Sequence, residues 1–276
     1  MSRTEYVIIS MAGALTVLII ARLLQHKWPI GPNLPHPEVS SDWLATLTNL
    51  LLSVPASLLV IPCSTVIIGW FGGGGLIHVR TDGWYYLPAL ISFVLISDLY
   101  RYCLHRLQHK VPFLWAMHSF HHSANALTLV TGARHYWLEK AIFGGFLPLF
   151  PILFNVPSDM VTIIALFNFL PDGCAHLNVR FPMGRWITVL NSPQWHRIHH
   201  SVQPEHFDKN FAAAFPLWDF VFGTAWIPIP DEYPDTGLAP SESVGVFVSI
   251  VWPFRFFLRR HFATFHGQSN LARLRR

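Results

Sequence analysis

Histidine is the residue type whose number and spacing stand out. Sixteen histidines face fifteen aspartates and glutamates in a chain of 276 residues. Eight of them fall into three short clusters: His105 and His109; His118, His121 and His122; and His196, His199 and His200. On an α-helix, positions three and four apart share one face, so each cluster can aim its imidazoles at one point. A single pair at this spacing is weak evidence. The repeated i, i+3, i+4 triplet beside a further i, i+4 pair is strong. Eight protonated imidazoles would repel one another, and eight neutral ones would compete for acceptors. A metal ion resolves both problems by accepting the nitrogen lone pairs. Eight imidazoles exceed the roughly four to six positions of one ion, so two ions are expected.

The ligand type does not name the metal, because imidazole suits zinc, copper, iron and nickel alike. No His-Glu-x-x-His occurs, so a zinc-peptidase reading lacks its general base. The Glu-x-x-His pairs of soluble di-iron bundles are also absent. Gly72–Gly75 has no following Gly-Lys-Ser/Thr and is not a phosphate loop. Cys63, Cys103 and Cys174 lack metal-ligand spacing and are expected to be buried small hydrophobes. His26, His36, His78, His206, His261 and His266 have no paired spacing and are expected at surfaces or interfaces. A net charge of +4, scattered along the chain, argues against a nucleic-acid partner.

The elements that must carry the clusters are apolar. Hydrophobic residues make up 52% of the chain and charged residues 12%, about half the charge of a soluble domain. With 11 tryptophans in addition, this composition indicates a membrane protein with aromatic-rich interfaces. Apolar runs fall at Tyr6–Leu24, Trp43–Phe71 (interrupted by Pro55 and Pro62), Trp84–Leu104, Trp137–Phe154 and Met160–Leu170. The first run ends in Arg-Leu-Leu-Gln-His rather than in a cleavage site, so a retained helix is preferred over a signal peptide. The turn Asn155–Pro157 joins two runs as a hairpin. Residues 178–235 are more polar and read as a segment lying against the membrane. Val244–Leu258 reads as an interfacial or re-entrant helix, and Arg259–Arg276 as a basic surface tail.

The expected fold is all-α, a multi-span membrane helical bundle of about four to five spans. Three parts follow: N-terminal spans and loop (1–80), a catalytic domain (81–235), and a C-terminal interfacial helix with the tail (236–276). Arg22, Lys27, Arg106, Lys110, Arg134, Arg180, Arg185 and Arg197 fall on the histidine-bearing side. The opposite loop (72–83) has only Arg80. The positive-inside rule then makes the histidine face cytoplasmic, in a bacterial inner membrane or the endoplasmic reticulum.

The order of the clusters among apolar runs resembles the sterol desaturase/fatty acid hydroxylase superfamily. Asp98-Leu-Tyr-Arg-Tyr-Cys-Leu-His resembles the lead into its first histidine box. Trp115-Ala-Met-His-Ser-Phe-His-His-Ser resembles its second box, and Ser192-Pro-Gln-Trp-His-Arg-Ile-His-His-Ser its third. Asp208-Lys-Asn-Phe and Trp218-Asp-Phe-Val-Phe-Gly-Thr resemble its closing signature. The resemblance covers roughly residues 90–226. It adds His176 and His135 as candidate ligands, with Asp172 at a position where some relatives carry histidine. Asp98 and Arg101 become candidates for orienting ligands or for pairing with each other. Asn210 and Trp218-Asp219 read as loop-closing residues, and no catalytic residue is expected apart from the metal ligands. Trp115, Phe120, Phe143 and Phe146 are candidate pocket walls.

The resemblance implies two iron ions in an oxo-bridged type of centre, with O2 as co-substrate and zinc possible in isolated protein. The reaction implied is hydroxylation or desaturation of a C–H bond of a membrane lipid. With no haem or iron–sulfur pattern in the chain, electrons are expected from an external reductase, cytochrome or ferredoxin. Arg180, Arg185 and Arg197 are candidates to receive such a carrier. The rival readings are a histidine-rich membrane metal-transport or metal-binding protein without oxygenase activity, a zinc-dependent membrane hydrolase, and an inactive scaffold.

Overall fold

The computed structural model describes residue 16 and residues 19–30, 36–73, 75–144, 149–238 and 244–265. Most of Tyr6–Leu24 lies outside these residues, as do Phe146, His266 and the rest of the tail, and the side chains of His36, Asp172 and His261. Among the described residues all regular structure is helical, and extended pairing is limited to isolated bridges. In chain order the helices are α1 (19–27), α2 (His36–Trp70), α3 (Tyr86–Lys110), α4 (Pro112–His122), α5 (Trp137–Gly144), α6 (Leu149–Leu153), α7 (Ser158–Ala175), α8 (Pro193–His199), α9 (Leu217–Val221), α10 (Val246–Ile250) and α11 (Trp252–Phe265).

The polarity of α2 is inverted relative to a soluble helix. Its inward positions are Ala45, Thr46, Asn49 and Ser53, all buried, while Leu44, Leu47, Leu51, Leu58 and Leu59 are exposed. Asn49 makes the inward face work: its amide donates to the Ser249 hydroxyl on α10 (3.0 Å), and its oxygen accepts from the Trp137 backbone at the start of α5 (3.1 Å). Pro55 and Pro62 both sit within the helix rather than ending it. One helical stretch, Gly83–Lys110, is long and apolar enough to cross a membrane. Its main helix, α3, packs Ala89 and Phe93 against Met160 and Ile164 of α7, with Phe93 edge-on to Phe150 and Phe154. The turn expected at Asn155–Pro157 leads into α7 at Ser158.

The C-terminal apolar stretch packs one side against the helices and leaves Phe247, Phe254 and Leu258 exposed. Val244 and Trp252 share a core with Ala45, Met117, Phe120 and Tyr136. The Trp252 indole donates to Ser119 (2.9 Å), and Tyr136 donates to the Ile250 carbonyl (3.0 Å). The three cysteines, expected buried, are exposed.

The polar segment 178–238 caps one end of the helices and is fastened to α3 along a single face. Asp98 is buried and accepts from the backbone amides of Ala214 (2.9 Å) and Phe215 (3.0 Å). One turn on, Tyr102 hydrogen-bonds Thr224 (2.8 Å) and stacks on Phe222. One turn further, His105 reaches the Phe211 carbonyl (2.9 Å). Asp219 ties the cap to itself, accepting from the amides of Phe211 (2.8 Å) and Ala212 (3.0 Å) and from the Thr224 hydroxyl (2.7 Å). Asn210, in left-handed backbone, spans the carbonyls of Trp195 and Trp226 with its amide. The loop-closing reading of both residues holds. Removing the Asp219 carboxylate strands three buried donors, each worth about 1–3 kcal/mol. Asp219→Ala is therefore expected to lower the melting temperature of the purified protein by roughly 5–10 °C, while Asp219→Asn, which keeps one acceptor, loses less; tryptophan-fluorescence melting checks both.

Candidate metal centre

Local sequence explains how each cluster is presented. His105 and His109 occupy the last two turns of α3, which ends as the chain passes Val111 into Pro112. Proline is suited to the first position of a helix because its missing N–H would have no partner there. The short α4 that follows carries His118, His121 and His122 in its last turn and is buried along this half. The α8 helix starts the same way: the Ser192 hydroxyl caps the Trp195 amide (3.1 Å) and Pro193 leads, so that His196, His199 and His200 come within one turn and its cap. His176 is the residue that terminates α7. Four helix ends thus converge.

They converge into two all-imidazole groups, beside a third possible set formed by His118, His135 and Glu139. His105, His109, His118, His122 and His199 bring ligand nitrogens within 4.8 Å of one another, and so do His121, His176, His196 and His200. The groups adjoin, with the rings of His122 and His200 stacked 4.3 Å apart. In the four-histidine group the Nε2 atoms run His121 to His176 (3.2 Å), His176 to His196 (3.0 Å) and His196 to His200 (3.2 Å). Metal–imidazole bonds of about 2.0–2.1 Å place neighbouring ligand nitrogens about 3 Å apart, so this spacing suits a shared ion. Nε2 of His122 is buried with no hydrogen-bond partner among the described residues, which suits an ion in the five-histidine group as well.

Three of the opposite ring nitrogens are held by backbone carbonyls. Nδ1 of His105 faces the Phe211 carbonyl (2.9 Å), Nδ1 of His199 the Lys209 carbonyl (2.8 Å), and Nδ1 of His121 the Arg134 carbonyl (3.2 Å). A carbonyl only accepts, so each Nδ1 carries the proton and each Nε2 turns its lone pair inward. The closing signature supplies much of this support. Asp208 and Asn210 both adopt left-handed backbone, a conformation Asp and Asn tolerate better than most residues. The carbonyls of Lys209 and Phe211, on either side of Asn210, meet two ligands, and the Asp208 carboxylate lies 3.6 Å from Nδ1 of His109. Burial drives the imidazoles of His121, His122, His196, His199 and His200 far below the usual histidine range, and neighbouring imidazoles push the same way. All five are neutral at pH 7, the form that binds metal.

Several candidates are placed differently. His135 lies outside the two all-imidazole groups but forms a third possible set of ligands with His118 and Glu139, its ring parallel to His121 at 4.6 Å. Asp98 holds cap backbone, and Arg101 acts on Asp98 and His196 electrostatically. Of the pocket walls, Trp115 lies against His109 and His122, and Phe143 is half-buried. Phe120 faces away, into the core with Trp252. Arg197 is not a surface arginine: it is buried, donates to the Pro234 carbonyl (2.7 Å), and is lowered by burial to about 10. His206, expected at a surface, is fully buried between Ser201 (2.9 Å) and Glu232 (3.2 Å). His26 and His78 are exposed as expected. Two residues of the site carried no expectation. Phe211 packs edge-on to His105 and His109, and Glu139 lies buried beside His118 and His135. Only the i, i+4 spacing of His135 and Glu139 hinted at the latter.

Buried, neutral, all-imidazole groups of this kind define a histidine-ligated metalloprotein built on helix ends. Residues 90–224 match the fatty acid hydroxylase family. The chain is 32% identical to alkylglycerol monooxygenase of Danio rerio over 242 residues, covering 86% of this chain and 51% of that protein. It is 25% identical to an ornithine lipid hydroxylase of Rhizobium tropici (64% of this chain, 54% of that one). It is 26% identical to a methylsterol monooxygenase of Aspergillus fumigatus (72% and 66%). The chain belongs to the fatty acid hydroxylase (sterol desaturase) family, and it spans about half the length of the first two relatives. No solved structure matches it.

Two separable groups predict separable losses. The parent is expected to carry two metal ions per chain. His122→Ala/His199→Ala breaks one group and His121→Ala/His200→Ala the other, so each is expected to retain about one ion. Elemental analysis of folded, purified protein measures this.

Proposed function

We propose that the chain is an O2-dependent di-iron oxidoreductase that hydroxylates or desaturates a C–H bond of a membrane lipid. The observation that carries this reading is the pair of adjoining, buried, all-imidazole groups, in a family whose relatives here are named for the oxygenation of lipids and sterols. His105, His109, His118, His122 and His199 would hold one iron, and His121, His176, His196 and His200 the other. Bound iron supplies the activation of O2 that an unactivated C–H bond requires. The chain's own residues do the rest. Backbone carbonyls of Arg134, Lys209 and Phe211 orient the ligands, and Trp115 and Phe211 line the imidazoles and keep water away. No protein side chain beyond the ligands is assigned a chemical step.

The same coordinates support placement in a bilayer. The 25 residues of α3 make a rod about 37 Å long at about 1.5 Å per residue, enough to span the hydrocarbon core. Trp84 and Trp70 are exposed near the end opposite the histidines, where aromatic side chains mark a lipid–water interface. The outward leucines of α2 favour a second span. These features support a multi-pass integral membrane protein whose site lies at one membrane surface, and the basic residues favour the cytoplasmic one. A lipid chain enters from the bilayer, and electrons arrive from a separate carrier, for which Arg185 on the exposed cap surface remains available. The transport reading is disfavoured, because the histidines gather at helix ends rather than along a span.

The test is lipid analysis of a host membrane containing the chain, with a reductant system and O2. A lipid gaining one oxygen atom, or losing two hydrogens, is expected, and its formation is expected to stop without O2 and in His122→Ala/His199→Ala. Iron-loaded protein that leaves the lipids of its host and a panel of alkylglycerols, sterols and acyl lipids unchanged would sink the reading.

A further inference from the structure

Glu139 lies outside the two all-imidazole groups, sits with His118 and His135 in a third possible set of ligands, and surrounds one of its oxygens with donors. It is 3% exposed. Its Oε1 receives Nε2 of Gln108 (2.6 Å), Nδ1 of His118 (3.1 Å) and Nδ1 of His135 (2.9 Å). Three donors on Oε1 fill its accepting directions and make that oxygen a hydrogen-bond acceptor, while Oε2 is buried with no hydrogen-bond partner among the described residues. His118 belongs to the five-histidine group. His135 lies flat on His121 of the four-histidine group, with ring planes 5° apart and centroids 4.6 Å apart. One side chain therefore stands behind a member of each group.

We propose that Glu139 is a positioning residue for both metal sites. It accepts the Nδ1 protons of His118 and His135, which turns Nε2 of His118 toward one ion. Through His135 it also fixes the plate on which His121 rests. Gln108, on the face of α3 between His105 and His109, locks the carboxylate in this pose. The inference rests on the di-metal reading of the histidine groups and adds to it a buried anionic group in direct contact with them. An acceptor behind a metal-bound imidazole fixes its tautomer and raises its basicity, and loss of such a partner costs roughly 10–100-fold in metal affinity.

The test uses the full chain, purified in detergent and loaded with cobalt(II), whose visible ligand-field bands report coordination geometry independently of turnover. Glu139→Met keeps the length and fill of the side chain and removes the acceptor. Glu139→Gln keeps an oxygen at the same place and removes the charge. Glu139→Met is expected to bind cobalt roughly 10–100-fold more weakly than the parent with altered bands, and Glu139→Gln to keep two ions with nearly parental bands. Thermal melting of each variant identifies one that has not folded. If the Met variant does not fold, Glu139→Gln decides alone: parental cobalt content and bands support the proposal, and loss of cobalt overturns it. A folded Met variant with parental affinity and bands makes Glu139 ordinary packing and overturns it too. A parent that takes up no cobalt and no iron defeats the di-metal reading itself, a result distinct from either.

Discussion

The structure depends on one constraint: nine imidazoles are packed in contact with one another away from water, and each has two nitrogens to satisfy. Burial and mutual proximity push the imidazoles of His121, His122, His196, His199 and His200 toward the uncharged form. A neutral imidazole still needs an acceptor for its proton and a partner for its lone pair. Protein carbonyls provide the first for His105, His121 and His199, and Glu139 provides it for His118. A pair of ions fits the second, because the Nε2 atoms crowd toward two points. The architecture can be read as the answer to where the acceptors come from. Helices cannot supply them, since their carbonyls are already bonded within the helix. The acceptors are instead found just beyond helix ends, at Arg134, and in the irregular chain at Lys209 and Phe211.

That explains the cap. A segment of about sixty residues with little regular structure would be an odd neighbour for apolar helices unless its backbone were needed. Here the left-handed turns at Asp208 and Asn210 bend the chain so that alternate carbonyls meet histidines. Asn210 and Asp219 then satisfy the polar groups that such bending leaves over. The bonds are local to the cap, while their effect is exerted on ligands from α3 and α8.

Much of the site was legible because its spacing is a helical property. The i, i+3, i+4 triplets on α4 and α8 and the pair on α3 predict shared faces, and the faces meet. The two prolines before the boxes, Pro112 and Pro193, mark their helix starts. His176 was reached only through family resemblance, since a lone histidine has no period. What sequence could not give was direction. His206 and Arg197 look like surface residues because their partners, Glu232 and the Pro234 carbonyl, are dozens of positions away. Phe120 lies between two ligands in sequence and still faces the opposite side of α4, because adjacent helical positions diverge by about 100°. The cysteines invert a rule made for water: where apolar atoms face outward, exposure is no penalty for a thiol. The reversal in α2, with Asn49 inside and leucines outside, is the same inversion.

The fastening of α3 to the cap has a mechanical consequence. Asp98, Tyr102 and His105 lie on successive turns of one helix face, and each is bonded to the segment 211–224. A rod that crosses a bilayer tilts when the bilayer thins or thickens. Were the cap attached only at the histidines, that tilt would act as a lever on the ligands at the end of the rod. With the attachment spread over two turns below them, rod and cap would turn together. In the proposed reading, this attachment would insulate the metal site from the thickness of the membrane that delivers its lipid.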